Sequence, residues 1–159
     1  MHEGCSSSKA EWLRTYLESV NAWFRVFELP EHTMTVDAAA RQLSISPEKI
    51  IKTLVFINEK GEPLIAIVCG NKRVNLDKLA KVSGCSKVRM AKAREVEKFT
   101  GYPVGALPPV GHGVRTFIDR EMLRHDKVVG GGGTTHTLME MKSEDVVKLS
   151  NATICDISE

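Results

Sequence analysis

The sequence predicts a single α/β domain built on a mixed, strongly curved β-sheet. Three observations lead there. The chain is 159 residues long, one domain's worth of material with enough length to bury a core unaided. About seven strand signals and six helix signals follow one another in mixed order, which points to a mixed sheet. No internal repeat or low-complexity linker divides them.

The elements follow from local patterns. Ala10, Leu13, Leu17 and Val20 recur at helical spacing, with Trp12 and Tyr16 widening the apolar face, so Ser8 to Val20 reads as an amphipathic helix. Ser6-Ser7-Ser8 reads as its frayed start and cap. Phe24 and Val26 start a strand that Pro30 closes. Thr35 is placed to cap a helix running to Leu43, and Ser46-Pro47-Glu48 opens a short helix with serine at the cap and proline at the first position.

Thr53–Ile57 and Leu64–Val68 are apolar, β-rich runs around the turn residues Asn58 to Pro63, the signature of a hairpin covered on both faces. Asn75 to Val82 reads as a helix stopped near Gly84, Lys87 to Met90 as a short strand, and Ala93 to Phe99 as a helix stopped by Gly101. Beyond an irregular stretch from Gly101 to Gly113 come strand signals at Val114–Ile118, Lys127–Val129 and Thr137–Met141. A helix from Ser143 to Leu149, with a capping serine, and a last strand from Thr153 to Ile157 complete the chain.

Composition narrows the function classes. With 42% hydrophobic and 26% charged residues the chain is of globular type. No apolar run approaches the roughly 18 residues of a membrane span, so no membrane partner is expected. The start interleaves charges with apolar residues, unlike a secretory signal, which makes the cytosol the default location. The net charge of +2 is unevenly spread: residues 1–40 carry −3, residues 41–98 carry +7 and residues 99–159 carry −2. A basic middle attracts polyanions through phosphate neutralisation, or is simply a solvated surface.

Four cysteines form no CxxC pair and five histidines no HxxxH pair, which disfavours a sequence-local zinc site, and no metal or other cofactor is expected. Cys69 ends an apolar run and Cys155 sits in an alternating tail, where both are expected to be inert small hydrophobes.

Three features could carry chemistry. Lys52 stands where a short helix hands over to a buried strand. There its ammonium either hangs over a pocket as a partly desolvated donor or is an ordinary lysine at a helix end. Gly101-Tyr102-Pro103-Val104-Gly105-Ala106-Leu107-Pro108-Pro109-Val110-Gly111 is a glycine- and proline-rich loop, able to offer main-chain donors to an oxyanion or to serve as a structural bridge. Gly130 to Gly133 fits no phosphate-loop pattern and is either a flexible turn or a place of close backbone approach. His32 and Thr33 face a pocket or stand in an exposed loop, and His136 donates to a ligand or lies at a sheet edge. No GxSxG elbow points to a serine hydrolase.

Five strings in order resemble the YbaK/ProX family of aminoacyl-tRNA editing domains: Thr35-Val36-Asp37-Ala38-Ala39-Ala40, Ile50 to Phe56, Arg73 to Ala80, Val88-Arg89-Met90-Ala91, and Thr100 to Gly105 with Pro109 and Gly111. The resemblance runs from about residue 24 to the C-terminus. It implies a barrel-like mixed sheet over residues 24–159, with residues 1–23 as an N-terminal helix of the same domain.

It also implies an activity, deacylation of mischarged tRNA in trans, typically cysteine or alanine on prolyl-tRNA. Water or a group of the substrate would be the nucleophile. The resemblance makes Lys52, Gly105 and Pro109 the expected catalytic set. Thr33, Ala106, Gly111, Gly131, Gly132 and His136 are the expected substrate contacts.

Two departures stand out. Ala106 replaces a glycine usual in the family, and its methyl is expected to narrow the pocket. Pro108 stands where serine is frequent. The expected partner is the aminoacylated end of tRNA, with a synthetase as a further partner that helps choose it. The competing readings are a non-catalytic tRNA-binding module of the same fold and an enzyme for a free small-molecule ester or amide.

Overall fold

The structure, a computed structural model, describes residues 2–30 and 35–159, with side chains from Lys9 onward. Apolar strands of residues 51–69 organise it. β2 (Ile51–Asn58) and β3 (Pro63–Cys69) pair antiparallel as the hairpin the turn residues require. The Asn58 carboxamide oxygen accepts from the amides of Lys60 and Glu62, both at 2.9 Å, and so closes the turn. Alternate residues feed different cores. Val55, Ile57, Ile65 and Ile67 enter one, while Phe56, Leu64, Ala66 and Val68 enter the other, which explains the unbroken apolar runs.

Around this hairpin a five-stranded mixed sheet forms in the order β4-β2-β3-β5-β8, with β4 at Val88–Met90, β5 at Thr116–Asp119 and β8 at Thr153–Cys155. β5 runs parallel to β3, and β8 parallel to β5. A second, antiparallel sheet holds β1 (Phe24–Glu28), β7 (Thr137–Lys142) and β6 (Lys127–Gly131), in that order across the sheet. A single parallel bridge between Ile50 and Val129 links the two. The domain is mixed α/β as expected, but the strands divide into two sheets and do not close into a barrel. One short bridge cannot carry a continuous ladder around the bend.

Helix α1 (His2–Ser19) inserts Leu13 and Leu17 into the main core. It begins well before the expected start, so Ser8 lies inside the helix and does not cap it. Thr35 caps α2 (Val36–Leu43) by accepting from the Ala38 amide at 3.1 Å. The left-handed Gly84 ends α3 (Leu76–Ser83), and Gly101 ends α4 (Ala93–Thr100).

Two expected serine caps differ. Ser46 stands at the N-cap of the 3₁₀ turn Pro47–Lys49, with the proline at its start as expected, but gives its hydroxyl to the Glu48 carboxylate at 2.9 Å and makes no side-chain cap bond. Ser143 is the first residue of α5 (Ser143–Ser150), not its cap, and its amide and hydroxyl both reach the Asp126 carbonyl. A 3₁₀ turn at Arg120–Arg124 has no counterpart in the sequence reading.

The tail is held by buried Asp119, whose carboxylate accepts from the amides of Ile157 and Ser158 and from the Ser158 hydroxyl at 3.0–3.1 Å. Strand geometry therefore stops at Cys155, short of the expected Ile157. Burial raises the thiol pKa of both Cys69 and Cys155 to about 11, with the nearby Asp119 charge adding to it. Both stay protonated near neutrality, in keeping with a packing role.

Candidate active site

A cavity of about 310 Å³ opens along the outer edge of β2. β4 pairs with β2 only from Phe56 to Asn58, leaving the strand before it without a neighbour on that side. The Ala91 amide donates to the Val55 carbonyl at 2.9 Å, so Val55 turns its main chain outward. By strand alternation Thr53 does the same, and its N–H and C=O face the open edge. Leu29, Val36, Ala39, Ile50, Ile51 and Leu138 close one end with apolar side chains.

Among the described residues that line the cavity, the titratable side chains are Lys52 and His136, and there is no aspartate, glutamate, cysteine or serine. Lys52 is half-buried, and its Nζ donates to the main-chain carbonyl of Lys72 in the turn after β3. Desolvation lowers its pKa below the usual lysine value, and the positive charge of Arg73 lowers it further. This is the signature of a cation held at a cavity wall, not of a fully solvated helix-end lysine.

The glycine- and proline-rich loop forms the facing wall through Val104, Gly105 and Leu107. Gly105 has φ +90°, a conformation that a side chain would strain. Within the described residues the Ala106 amide donates to the Pro103 carbonyl at 3.0 Å, whereas the amides of Gly105 and Leu107 donate to no protein acceptor. Two main-chain donors therefore remain available where the loop meets the cavity.

His112 pins this loop from behind. The Val114 amide donates to its Nδ1 at 3.1 Å, which leaves Nε2–H to donate to the Pro109 carbonyl at 3.1 Å. Burial lowers the His112 pKa, opposed by the bond to Pro109, so the ring is neutral near pH 7.

The expected site residues divide accordingly. Lys52, Gly105, Gly131 and His136 line the cavity together. Gly131 fits closely, since a Cβ there would fall on the Leu107 carbonyl; the glycine run and the proline-rich loop touch through this point. Pro109 lies behind the wall, with its ring Cδ near Gly130.

Ala106 is fully buried in the main core, and its methyl does not reach the cavity it was expected to narrow. Gly111 faces Trp12 of α1 instead of the cavity. Gly132 donates its amide to Thr137 at 2.9 Å and also stands off the lining. Thr33 and His32 lie outside the described residues. His136 stands 3.8 Å from Glu28, which also accepts from the Thr137 hydroxyl at 3.0 Å.

One residue escaped the sequence reading. Thr53 lines the cavity beside Lys52, and its hydroxyl is buried without a hydrogen-bond partner. An unsatisfied hydroxyl at a cavity edge is a ready contact for a polar ligand atom. Its signal was only position, the residue following the lysine at the mouth of β2.

The model of the aminoacyl-tRNA editing domain matches residues 30–149. The chain belongs to the aminoacyl-tRNA editing family. It is 30% identical over 134 residues to a candidate Cys-tRNA(Pro)/Cys-tRNA(Cys) deacylase of Enterococcus faecalis, EbsC, covering 83% of this chain and 82% of that one. A proline–tRNA ligase of Maridesulfovibrio salexigens is 36% identical over 105 residues, 64% of this chain but 18% of the ligase, so this editing domain spans under a fifth of that enzyme. The crystal structure of a candidate trans-editing enzyme for prolyl-tRNA synthetase superposes with a TM-score of 0.85 at 31% identity, covering 95% of this chain and 97% of that one. α1 and the Asp119-bound tail lie outside the matched segment of this editing domain.

Proposed function

We propose that the protein removes a mischarged small amino acid, cysteine or alanine, from tRNA(Pro) in trans, acting in the cytosol beside prolyl-tRNA synthetase. What supports this is the meeting of Lys52 with the free amides of Gly105 and Leu107 on one apolar cavity. Ester cleavage needs a developing oxyanion stabilised and a nucleophile positioned, and those two kinds of donor answer the first need. The cavity suits a short, weakly polar side chain.

In this reading the ester carbonyl points between Lys52 and the loop amides. Water adds to the carbonyl carbon, the bond to the ribose oxygen breaks, and the proton lost by water returns to that oxygen. The products are free amino acid and uncharged tRNA. For cysteine the substrate's own thiol can attack instead, giving a thiolactone and the same ribose hydroxyl. Thr53 contributes its hydroxyl and main chain to hold the amino acid, Gly131 and His136 close the wall, and Pro109 keeps the loop in shape through His112.

The test is a deacylation time course on prolyl-, alanyl- and cysteinyl-type tRNAs, each charged with cysteine, alanine, serine or proline. Release of cysteine or alanine from the prolyl species, with proline spared, is the expected result. No release above the spontaneous rate from any species contradicts the proposal.

A further inference from the structure

The two most exposed large hydrophobic side chains among the described residues are Met90, 58% exposed, and Val104, 53% exposed. Both line the cavity described above. Met90 ends β4 and Val104 belongs to the proline-rich loop, so the apolar surface comes from both sides of the opening. Water-exposed methionine and valine at the lip of a cavity carry a hydrophobic cost that a ligand would relieve.

The surface beside this lip is basic. Residues 87–98 hold Lys87, Arg89, Lys92, Arg94 and Lys98 against Glu95 and Glu97, and all five cations are exposed. Arg89 is tied to both oxygens of Glu95 at 2.8 and 2.9 Å and the Lys98 ammonium lies over the Phe99 ring, which leaves Lys87, Lys92 and Arg94 facing solvent. An apolar platform flanked by cations is the arrangement that holds single-stranded nucleic acid: the face of a base stacks on the platform, and the backbone phosphates lie over the charges. Methionine suits the purpose, because its polarisable thioether packs well on aromatic faces.

We propose that Met90 and Val104 form a stacking lip for the unpaired terminal base of the acceptor strand, holding the nucleotide whose ribose carries the aminoacyl ester. The inference rests on the tRNA-deacylase reading and extends it to a subsite outside the amino-acid cavity. The lip makes the editing site read the end of an RNA as well as the amino acid. The adjoining cations Lys87, Lys92 and Arg94, beside β4 and at the start of α4, then contact the phosphates that precede it.

Two measurements test the lip separately from the chemistry. In the first, wild type, Met90→Ala, the double variant Met90→Ala with Val104→Ser, and Met90→Phe are compared on a mischarged tRNA and on the ethyl ester of the same amino acid. The preference for the tRNA ester over the base-free ester drops about tenfold or more in the first two variants, carried by KM, in line with the loss of one base stack. Met90→Phe, which keeps an apolar platform, retains that preference. An unchanged preference in the double variant overturns the proposal, because the two residues would then shape only the amino-acid cavity.

In the second, binding of uncharged tRNA, intact and trimmed of its last nucleotide, is measured at one fixed salt concentration. Wild type loses affinity on trimming and the double variant does not. Equal binding of both RNAs by wild type overturns the lip, as does a wild-type dimer that Met90→Ala dissociates. A protein that cleaves nothing yet distinguishes the two RNAs refutes the deacylase reading and leaves the lip standing.

Discussion

The side-chain ammonium of Lys52 donates to the main-chain carbonyl of Lys72, across 20 residues of sequence. This one contact couples the start of β2 to the turn after β3 and fixes a cation at the wall of the cavity. The neighbouring Arg73 guanidinium lowers its pKa further, and Arg73 is itself tied down, its carbonyl accepting from the Glu159 amide at 3.0 Å.

Lys52 therefore titrates below the ordinary lysine value of 10.5. A titration of its side-chain ¹³Cε resonance checks this, and Arg73→Ala moves the midpoint upward, because it removes a positive charge that disfavours the ammonium. A midpoint at or above the ordinary value in wild type contradicts the geometry.

Ala106 makes a sharper test of which residues select the amino acid. Its side chain is fully buried in the core and absent from the cavity lining. Ala106→Gly leaves the cysteine-to-alanine preference of deacylation within about twofold and lowers stability in urea by about 1 kcal/mol, from the lost methyl and the freer unfolded chain. A large change in preference with unchanged stability would return the methyl to the pocket.

How much was legible beforehand follows from the range of the interaction. Thr35, Gly84, Gly101 and the Asn58 turn are local devices whose partners lie within about five residues, and each is visible in sequence because the backbone needs that residue type there. The meeting of Lys52, Gly105 and Gly131 came through the family resemblance, with His136 singled out only by its place after the glycine run, and it could not have come from spacing, since the four sit on three separate segments.

Features that depend on orientation were hidden. The inward turn of Ala106, the Lys72 partner of Lys52 and the bare hydroxyl of Thr53 are set by how segments pack, which no periodicity encodes. The division into two sheets has the same origin, because the bridge between Ile50 and Val129 is a contact between strands far apart in the chain. Ser46 and Ser143 show the limit of cap signals: Ser46, at the cap position, gives its hydroxyl to Glu48, and Ser143, one residue inside its helix, gives its own to the Asp126 carbonyl.

His112 makes the loop sensitive to acid. Its pKa is lowered in the folded state, below the ordinary histidine value of 6.5, so the unfolded chain binds the proton more readily. Its contribution to stability is therefore fully present above pH 6.5 and is lost as pH falls from there through the folded-state pKa. Urea denaturation from pH 7.5 to 5 shows this loss, and His112→Asn, which keeps a polar side chain without titrating, flattens that part of the profile. An unchanged profile in the variant contradicts the assignment.

The central claim is that Lys52 supplies transition-state stabilisation at this cavity. It is tested most directly by single-turnover deacylation of the proline-specific tRNA charged with cysteine or alanine, by wild type and Lys52→Ala, with tRNA binding measured in parallel. The account predicts that the rate falls about 10²-fold or more while binding changes by less than about tenfold, as for removal of an oxyanion donor. Equal rates, or a fall explained wholly by weaker binding, would contradict it and make Lys52 a phosphate contact in a tRNA-binding module.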